Sequence, residues 1–483
     1  MNTRIPIFIG YFIVVFAIGV YSLRFTRDES DYWIAGGRLG WLVGGATLAA
    51  THVSAGTFIG AVGAIYAFGW SFAWVMLAVP LAYWFMAGVL APRFTRVREL
   101  TLPAFIERRY YSRGARAISG TIIMIAMVVF IQAQIVAGGL VANIVFGMPA
   151  IDGMVLFTLV LLAYTAAGGM FAVVYTDFLQ MAIMVLGAVL AVPLAMRHLN
   201  GFGNLLDYVE ATRPLVFSWG TLPGTLLFTM GLAFFLGSVA TPEKLTRLYT
   251  MKDMRTIRRG VLCTIVLVVV LNVLVMLLGL VSIVLFPLLP TGDLAMPVVA
   301  RAVLPDFMGT LMLAAITSAM MSTVSSLLVV AGSALSEDIY HTLFDAEASH
   351  ARRLMIARLG IFIVGSLPLA LIACGVGEGE LIQLMVLLFT ALMAASFFVP
   401  VVFGIFWRRA TREGAIAAMI GGIACTTLWK LFGAEAIDPV VPGFLASALL
   451  MVIVSLMTAP PPAPALAAYF GGAPEAHESE GWG

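Results

Sequence analysis

Long apolar runs, separated by short polar segments, make up almost the whole chain. Within a run, polarity does not alternate from residue to residue as it does in the strands of a membrane barrel. The pattern therefore predicts an all-α, polytopic membrane protein with about 13 transmembrane helices of roughly 20 residues each. These runs lie near residues 5–23, 40–66, 70–92, 115–147, 150–168, 173–198, 221–240, 259–286, 307–335, 354–375, 379–407, 414–433 and 439–458.

The composition agrees with this pattern and narrows the function. Of the 483 residues, 61% are hydrophobic and only 11% are charged, a balance that is foreign to soluble domains. Cys263, Cys374 and Cys425 lie far apart in apolar runs, so their spacing predicts neither a disulfide framework nor a metal site. The sequence has no phosphate-binding loop and no nucleophile motif, so we expect neither an enzyme nor an ATP-driven pump.

Basic residues are distributed unevenly between the alternate loops. Of the 27 Lys and Arg residues, 22 fall in segments that are cytoplasmic if the N-terminus is outside; the other five are Arg4, Arg197, Arg213, Arg301 and Lys430. The positive-inside rule then predicts an outside N-terminus and a cytoplasmic C-terminus, in an inner or plasma membrane. Residues 1–458 would form one transmembrane domain. The segment 459–483 is rich in Pro, Ala and Gly, and we expect it to be a disordered cytoplasmic tail.

The second apolar run is interrupted by polar residues at its centre. Thr51, His52, Ser54 and Thr57 stand there beside Gly56, which weakens a helix. An interrupted helix survives in a membrane only where it lines a cavity or binds something, and its freed carbonyls can coordinate a cation. The alternative is an intact helix that packs through small residues, with its hydroxyls bonded back to carbonyls of the preceding turn.

A second interrupted span follows five spans later, over 225–242. Gly231, Gly237 and Pro242 are its potential breaking points. Two broken helices in corresponding places predict an inverted repeat, in which spans two to six match spans seven to eleven. The core repeats would cover about 40–198 and 221–407.

The ninth run carries a cluster of hydroxyl side chains. Ser322, Ser325 and Ser326 are spaced so that they share one helix face, and Thr323 lies beside them. Neutral hydroxyl oxygens are hard ligands that suit a small alkali cation. Close packing of small residues between helices would produce the same pattern, and the sequence leaves this alternative open.

Three further polar residues lie inside predicted spans. Asp177 indicates an ion or proton path, because a carboxylate at that depth is costly and the sequence places no Lys or Arg in the neighbouring spans; the alternative is an acid at a helix N-terminus. His52 could carry a proton or be a fixed neutral ring. Gln132 could face a solute or bond a neighbouring helix.

Four segments resemble the sodium:solute symporter family, which includes the proline, pantothenate and sodium–glucose symporters. They are DYWIAGGRLG at 31–40, ATHVSAGTFIG at 50–60, TAAGGMFAVVYTDFLQ at 165–180 and AMMSTVSSLLVVAGSALSEDIY at 319–340. The second segment is similar to ATYISASSFIG of the pantothenate symporter. The resemblance implies a LeuT-like five-plus-five inverted repeat with flanking helices.

The resemblance also implies particular site residues. A first sodium ion would be bound by the carbonyls of Ala50, Val53 and Ala319 and the hydroxyls of Ser322 and Thr323. A second sodium ion would be bound by Asp177 with Ser325 and Ser326. The residues expected to contact the solute, from the resemblance and the broken-helix pattern together, are His52, Ser54, Thr57, Met76, Gln132 and Phe235.

These observations predict a sodium-coupled secondary active symporter that imports a small organic solute by alternating access. Sodium is the expected coupling ion, and a carboxylate such as pantothenate, a monocarboxylate or an amino acid is the expected solute. A proton-coupled transporter that uses His52 or Asp177 is the main alternative, followed by a channel or a sensor-like membrane protein. The expected partners are the solute, sodium ions and the lipid bilayer, with no nucleic acid.

Overall fold

The structure is a computed structural model, and it describes residues 4–25, 29–95, 99, 101–219 and 221–470. In these residues the chain is almost wholly helical, and one isolated parallel bridge joins Leu39 to Met251. Ten helices are long and apolar enough to cross a membrane, and two bent helix pairs raise the number to twelve among the residues described. The protein is therefore a polytopic helical membrane protein, as the sequence predicts.

The helices correspond to the predicted runs, except that the fifth and sixth runs lie in one continuous helix. The ten continuous spans are Ile5–Ser22, Trp70–Phe94, Arg113–Phe146, Met170–Arg197, Met254–Leu285, Asp306–His341, His350–Ala373, Ile382–Phe406, Arg412–Phe432 and Val440–Met457. The two bent pairs are Trp41–His52 with Gly56–Phe68, and Gly224–Ala240 with Pro242–Thr250. The predicted fifth run corresponds to a shorter apolar helix, Ala150–Ala163. We number these elements as spans one to thirteen in chain order.

Spans five and six are joined without a loop. They belong to one helical segment, Ala150–Arg197, of 48 residues. A straight helix of that length would measure about 72 Å, more than twice the thickness of a bilayer core. The lack of Pro between the two predicted runs explains why helical hydrogen bonding continues here. The predicted separation at 169–172 is therefore not seen as a break in the helix.

Short helices connect the spans. Leu102–Tyr110 follows span three, Phe202–Thr212 follows span six, and Ala295–Ala302 precedes span nine. The apolar stretch of span nine is entirely buried, whereas that of span one is 28% buried. Span nine therefore lies at the centre of the bundle, and span one lies at its edge.

The predicted disordered tail begins with a helix, Ala463–Phe470. Tyr469 in this helix is 2% exposed, and its ring packs edge-on against Phe105 at 5.5 Å between centroids. Phe470 lies against the guanidinium of Arg109. The prediction of disorder is therefore wrong for this helix, because its two aromatic rings find apolar and cationic partners. Residues 471–483 lie outside the described part of the chain.

The spans approach each other most closely at glycines. A Cβ atom on Gly237 of span seven would lie 2.5 Å from the carbonyl oxygen of Thr390 in span eleven. Close approach through small residues is the usual way in which helices associate in a membrane, where no hydrophobic effect drives them together. Gly237 is therefore a packing residue inside span seven, and the break in that span comes later, at Thr241.

We expect Gly237→Ala to destabilise the protein by about 1–3 kcal/mol, the usual cost of overpacking a tight contact. The measurement is thermal unfolding of the purified protein in detergent, followed by tryptophan fluorescence. Gly10→Ala is the matched control, because no heavy atom lies within 4 Å of the position that its Cβ would take. Equal melting temperatures for the two variants would contradict the packing account.

Candidate functional site

The first broken span bends by 59° at the residues between His52 and Gly56. Helical hydrogen bonding stops there, and side chains take over the freed N–H groups. The N–H of Ser54 donates to the hydroxyl of Thr57 at 3.4 Å, and the N–H of Gly56 donates to the hydroxyl of Ser54 at 3.0 Å. The N–H of Ala55 donates to Oε1 of Gln134 in span four at 2.9 Å. The break is thus capped from within the protein, as backbone in a membrane requires.

The same break frees carbonyl groups that point at span nine. The hydroxyl of Ser322 donates to the carbonyl of Ala50 at 3.0 Å and lies 3.1 Å from that of Ala319. The hydroxyl of Thr323 donates to the carbonyl of Val53 at 3.3 Å. All five residues are at most 1% exposed. The structure therefore brings together every oxygen that the sequence predicts for the first sodium ion.

This group of oxygens fits a sodium ion by its chemistry. Three backbone carbonyls and two hydroxyls are neutral, hard donors, and they come from two different spans. The N–H groups that would bond the carbonyls of Ala50 and Val53 in an unbroken helix bond elsewhere, to Thr57 Oγ1 and to the carbonyl of Ser54. We call these five oxygens the five-oxygen cluster.

Asp177 has a buried cationic partner, which contradicts the expectation that no Lys or Arg lies near it. Its Oδ2 lies 3.3 Å from Nη2 of Arg247, and it accepts a hydrogen bond from the hydroxyl of Thr47 at 2.5 Å. Asp177 and Arg247 are at most 1% exposed. The premise that a bound cation must neutralise Asp177 is therefore wrong, because Arg247 reaches it from the second half of the second broken span.

The predicted second sodium site is occupied by the same guanidinium. Nη2 of Arg247 donates to the hydroxyl of Ser326 at 2.6 Å. The hydroxyl of Ser325 donates to the carbonyl of Ser322 in its own helix at 3.1 Å. Asp177 and Ser326 are thus near each other, but Arg247 lies between them. Ser325 bonds its own helix, as in the packing interpretation of the hydroxyl cluster.

A cavity lies between the two broken spans, beside the five-oxygen cluster. Of the residues predicted to contact a solute, His52, Ser54, Thr57 and Met76 line it. The His52 ring packs edge-on against Tyr83, with 6.0 Å between ring centroids. Polar atoms from the first broken span therefore point both at the five-oxygen cluster and into the cavity.

Gln132 and Phe235 do not line this cavity, contrary to prediction. Nε2 of Gln132 donates to the carbonyl of Val376 at 2.5 Å, which is the contact to a neighbouring segment that the sequence left open. Phe235 packs against Phe85 at 5.8 Å between centroids, and its neighbour Phe234 lines the cavity instead. Adjacent residues on a helix point in directions that differ by about 100°. Residue spacing alone does not determine which of the two faces the cavity, because that depends on the helices packed around them.

Several residues that line the cavity are not predicted from the sequence. The cavity is also lined by Phe130, Phe234, Lys244, Asn272, Gln383, Phe389 and Thr390. The predicted topology places Lys244 and Arg247 among the cytoplasmic basic residues, yet they are 6% and 1% exposed. Pro242, which begins the short helix Pro242–Thr250, is the signal that could have revealed this, because Pro favours the first turn of a new helix.

Comparison with known proteins agrees with this geometry. The family model described as sodium:solute symporter family matches residues 32–422. The osmoregulated proline transporter OpuE of Bacillus subtilis is 28% identical over 95% of this chain and 96% of its own length. The high-affinity proline transporter PutP of the same organism is 28% identical over 92% of this chain and 96% of its own.

The fold is similar to that of solved transporters. A Na+-coupled sialic acid symporter in a substrate-bound, outward-open state superposes with a TM-score of 0.81 at 21% identity, covering 95% of this chain and 98% of its own. MHP1, a nucleobase-cation-symport-1 family transporter, gives a TM-score of 0.58 at 14% identity over 92% of this chain and 99% of its own. These likenesses support the inverted-repeat architecture. Because the family model spans most of the sequence, the chain belongs to the sodium:solute symporter family and is a sodium-coupled solute symporter.

Proposed function

We propose that the protein imports a small organic carboxylate together with one sodium ion by alternating access. The observation that carries this proposal is the position of the five-oxygen cluster. Its carbonyls from Ala50 and Val53 belong to the same short segment as His52 and Ser54, which line the cavity. Sodium and solute would therefore act on the same few residues of one broken helix.

Sodium binding would organise the cavity by replacing weak contacts with a strong one. In the structure, the two hydroxyls of span nine donate to the freed carbonyls at 3.0 and 3.3 Å. A sodium ion accepts lone pairs from carbonyls and hydroxyls at once, so it would hold the first broken span against span nine. The side chains of Ser54 and Thr57 would then be fixed for the solute. Fixing the cavity in advance lowers the entropic cost of binding the solute.

The proposed solute is pantothenate, another monocarboxylate or an amino acid. Supporting this proposal, the cavity lining offers the amides of Asn272 and Gln383, several hydroxyls and the Lys244 ammonium to a carboxylate. Proton coupling through Asp177 is less well supported, because that carboxylate is committed to Arg247 and Thr47. His52 stays the candidate carrier in that alternative.

We also propose that the N-terminus lies outside and the C-terminus lies in the cytoplasm. The basic residues support this orientation even when Lys244 and Arg247 are removed from the loops. Arg352 and Arg353 begin span ten from one side, whereas the loop that holds Leu288 has no Lys or Arg between 286 and 300.

Removing one hydroxyl of the five-oxygen cluster should weaken sodium binding. We expect Thr323→Val to raise the sodium concentration for half-maximal uptake at least tenfold, with a smaller effect on solute affinity at saturating sodium, because only four of the five oxygens would remain for a dehydrated ion. The measurement is uptake into proteoliposomes at varied sodium. Thr317→Val is the matched control, since the Thr317 hydroxyl bonds the carbonyl of Leu313 in its own helix. Equal sodium dependence in both variants would contradict the site.

The sodium dependence of uptake should have a Hill coefficient near one, because Arg247 takes the place that a second sodium ion would need beside Asp177. Initial rates of uptake at saturating solute provide the measurement. Ser325→Ala should leave the coefficient unchanged, as its hydroxyl bonds its own helix. A coefficient near two that falls to one in Asp177→Asn would establish the second site and refute the single-sodium proposal.

Cysteine labelling tests the orientation. In a variant without Cys263, Cys374 and Cys425, which are all free thiols, Leu288→Cys should react with an impermeant maleimide added to intact cells. Leu288 is 93% exposed, so access does not limit the reaction. Ala346→Cys, in the exposed loop before span ten, should react only after the cells are permeabilised. The reverse pattern would invert the topology.

A further inference from the structure

Lys244 is a buried cation at the wall of the solute cavity. It is the third residue from the break at Thr241, in the first turn of Pro242–Thr250, and it is 6% exposed. Its Nζ donates to the hydroxyl of Ser238 at 3.3 Å. An ammonium group has three N–H donors, so this contact leaves two for a ligand.

The remaining lining residues do not neutralise this charge. In the described part of the chain, the cavity is lined by hydroxyls, amides, His52 and apolar side chains, and by no carboxylate. Glu243 is adjacent in sequence and 1% exposed, but it does not line the cavity. Neither of its carboxylate oxygens has a hydrogen-bond partner in the described part of the chain, so its charge acts on Lys244 only through space.

Two further features favour an anion beside Lys244. The N-terminus of the nine-residue helix Pro242–Thr250 carries a partial positive charge. A sodium ion in the five-oxygen cluster would add a full positive charge on the opposite side, where His52 and Ser54 connect cluster and cavity. A buried ammonium is costly unless it is paired, and a bound anion is the partner that an otherwise carboxylate-free lining lacks.

We propose that Lys244 binds the carboxylate of the solute, and that this solute is an anionic monocarboxylate without an ammonium group. The inference rests on the proposed function and narrows its solute. An ammonium group in the same cavity would meet Lys244 and sodium as like charges, with only neutral oxygens to receive it. The proposed solute therefore has a net negative charge, unlike proline, the zwitterion for which the transporters OpuE and PutP are named.

The other wall of the cavity defines the body of the solute. Phe130, Phe234 and Phe389 line it together with Met76 and Val386. Phe130 and Phe389 stack on each other with 4.5 Å between ring centroids, so they form one apolar block beside the cavity. The carboxylate would lie at Lys244 and the hydrocarbon part against these rings. Oε1 of Gln383 has no hydrogen-bond partner and could accept a bond from a hydroxyl of the solute.

The test compares probes that share a body and differ in charge. Three matched sets are used: proline, cyclopentanecarboxylate and pyrrolidine; alanine, propanoate and ethylamine; phenylalanine, hydrocinnamate and phenethylamine. Pantothenate is added as a fourth anion. Binding to the purified full-length protein is measured by tryptophan fluorescence in sodium and in potassium chloride. We expect at least one anion to bind in sodium, and to bind at least tenfold more tightly than its zwitterion and its amine.

Variants connect the preference to Lys244. Lys244→Met should weaken binding of that anion at least tenfold, whereas Lys244→Arg should restore part of it. Glu243→Gln is the matched control: it removes the adjacent charge and should leave the preference for the anion in place. Sodium-induced stabilisation of Lys244→Met in the absence of solute would show that the variant is folded.

These outcomes test the role of Lys244 separately from the proposed sodium-coupled transport. A zwitterion that binds as tightly as its anion, an anion whose affinity is unchanged in Lys244→Met, or a panel in which no anion binds would overturn it. If a zwitterion accumulates with sodium and its accumulation is the same in Lys244→Met, the inference is overturned and the proposed symport stands. Anion binding that depends on Lys244 but yields no sodium-driven accumulation in proteoliposomes supports the inference and overturns the proposed transport.

Discussion

The structure depends on the rule that backbone polar groups inside a membrane must find partners. The break between His52 and Gly56 releases N–H groups and carbonyls in the middle of the bundle, where water does not satisfy them. Gln134 of span four accepts a hydrogen bond from one of these N–H groups. The hydroxyls of span nine donate hydrogen bonds to two of the carbonyls. The break therefore sets the positions of spans four and nine around span two. A binding site for a small cation is a direct result of satisfying that one interruption.

The second broken span uses charge where the first uses neutral oxygens. Its short half-helix Pro242–Thr250 brings Arg247 to Asp177 and Lys244 to the cavity. Asp177 belongs to span six, so the ion pair ties the second half of span seven to span six. Breaking a buried pair by removing one partner usually costs about 3–5 kcal/mol, because the remaining charge is left unpaired. Lys244 differs from Arg247 because, among the described residues, its ammonium bonds the hydroxyl of Ser238 and Glu243 acts on it only through space.

Local signals in the sequence predict the broken spans and the hydroxyls of span nine, whereas the carbonyls of Ala50, Val53 and Ala319 are implied by the resemblance to the symporter family. Polar residues and Gly56 interrupt an apolar run in a way that is visible without any tertiary contact, and the hydroxyls of span nine are equally conspicuous. The contacts of Gln132 and Phe235 depend on the rotation and neighbours of whole helices, and residue spacing does not contain that information. The positive-inside rule places Lys244 and Arg247 in a loop, because a count of basic residues cannot distinguish a loop from a buried half-helix after a proline.

The buried charges also bear on how the two fluxes are coupled. With Asp177 and Arg247 paired, the charge of the site is set by Lys244, Glu243, sodium and solute. One sodium ion and one anionic solute add no net charge, so the empty and the fully loaded site are alike whatever the state of Glu243. Sodium alone would add one positive charge beside Lys244, whereas solute alone would compensate the charge of Lys244 but lack the ion that holds the broken span. Uncompensated charge inside a membrane is costly. The form loaded with sodium alone is therefore the one least able to close, and the same electrostatic constraint that selects an anion would suppress sodium leak.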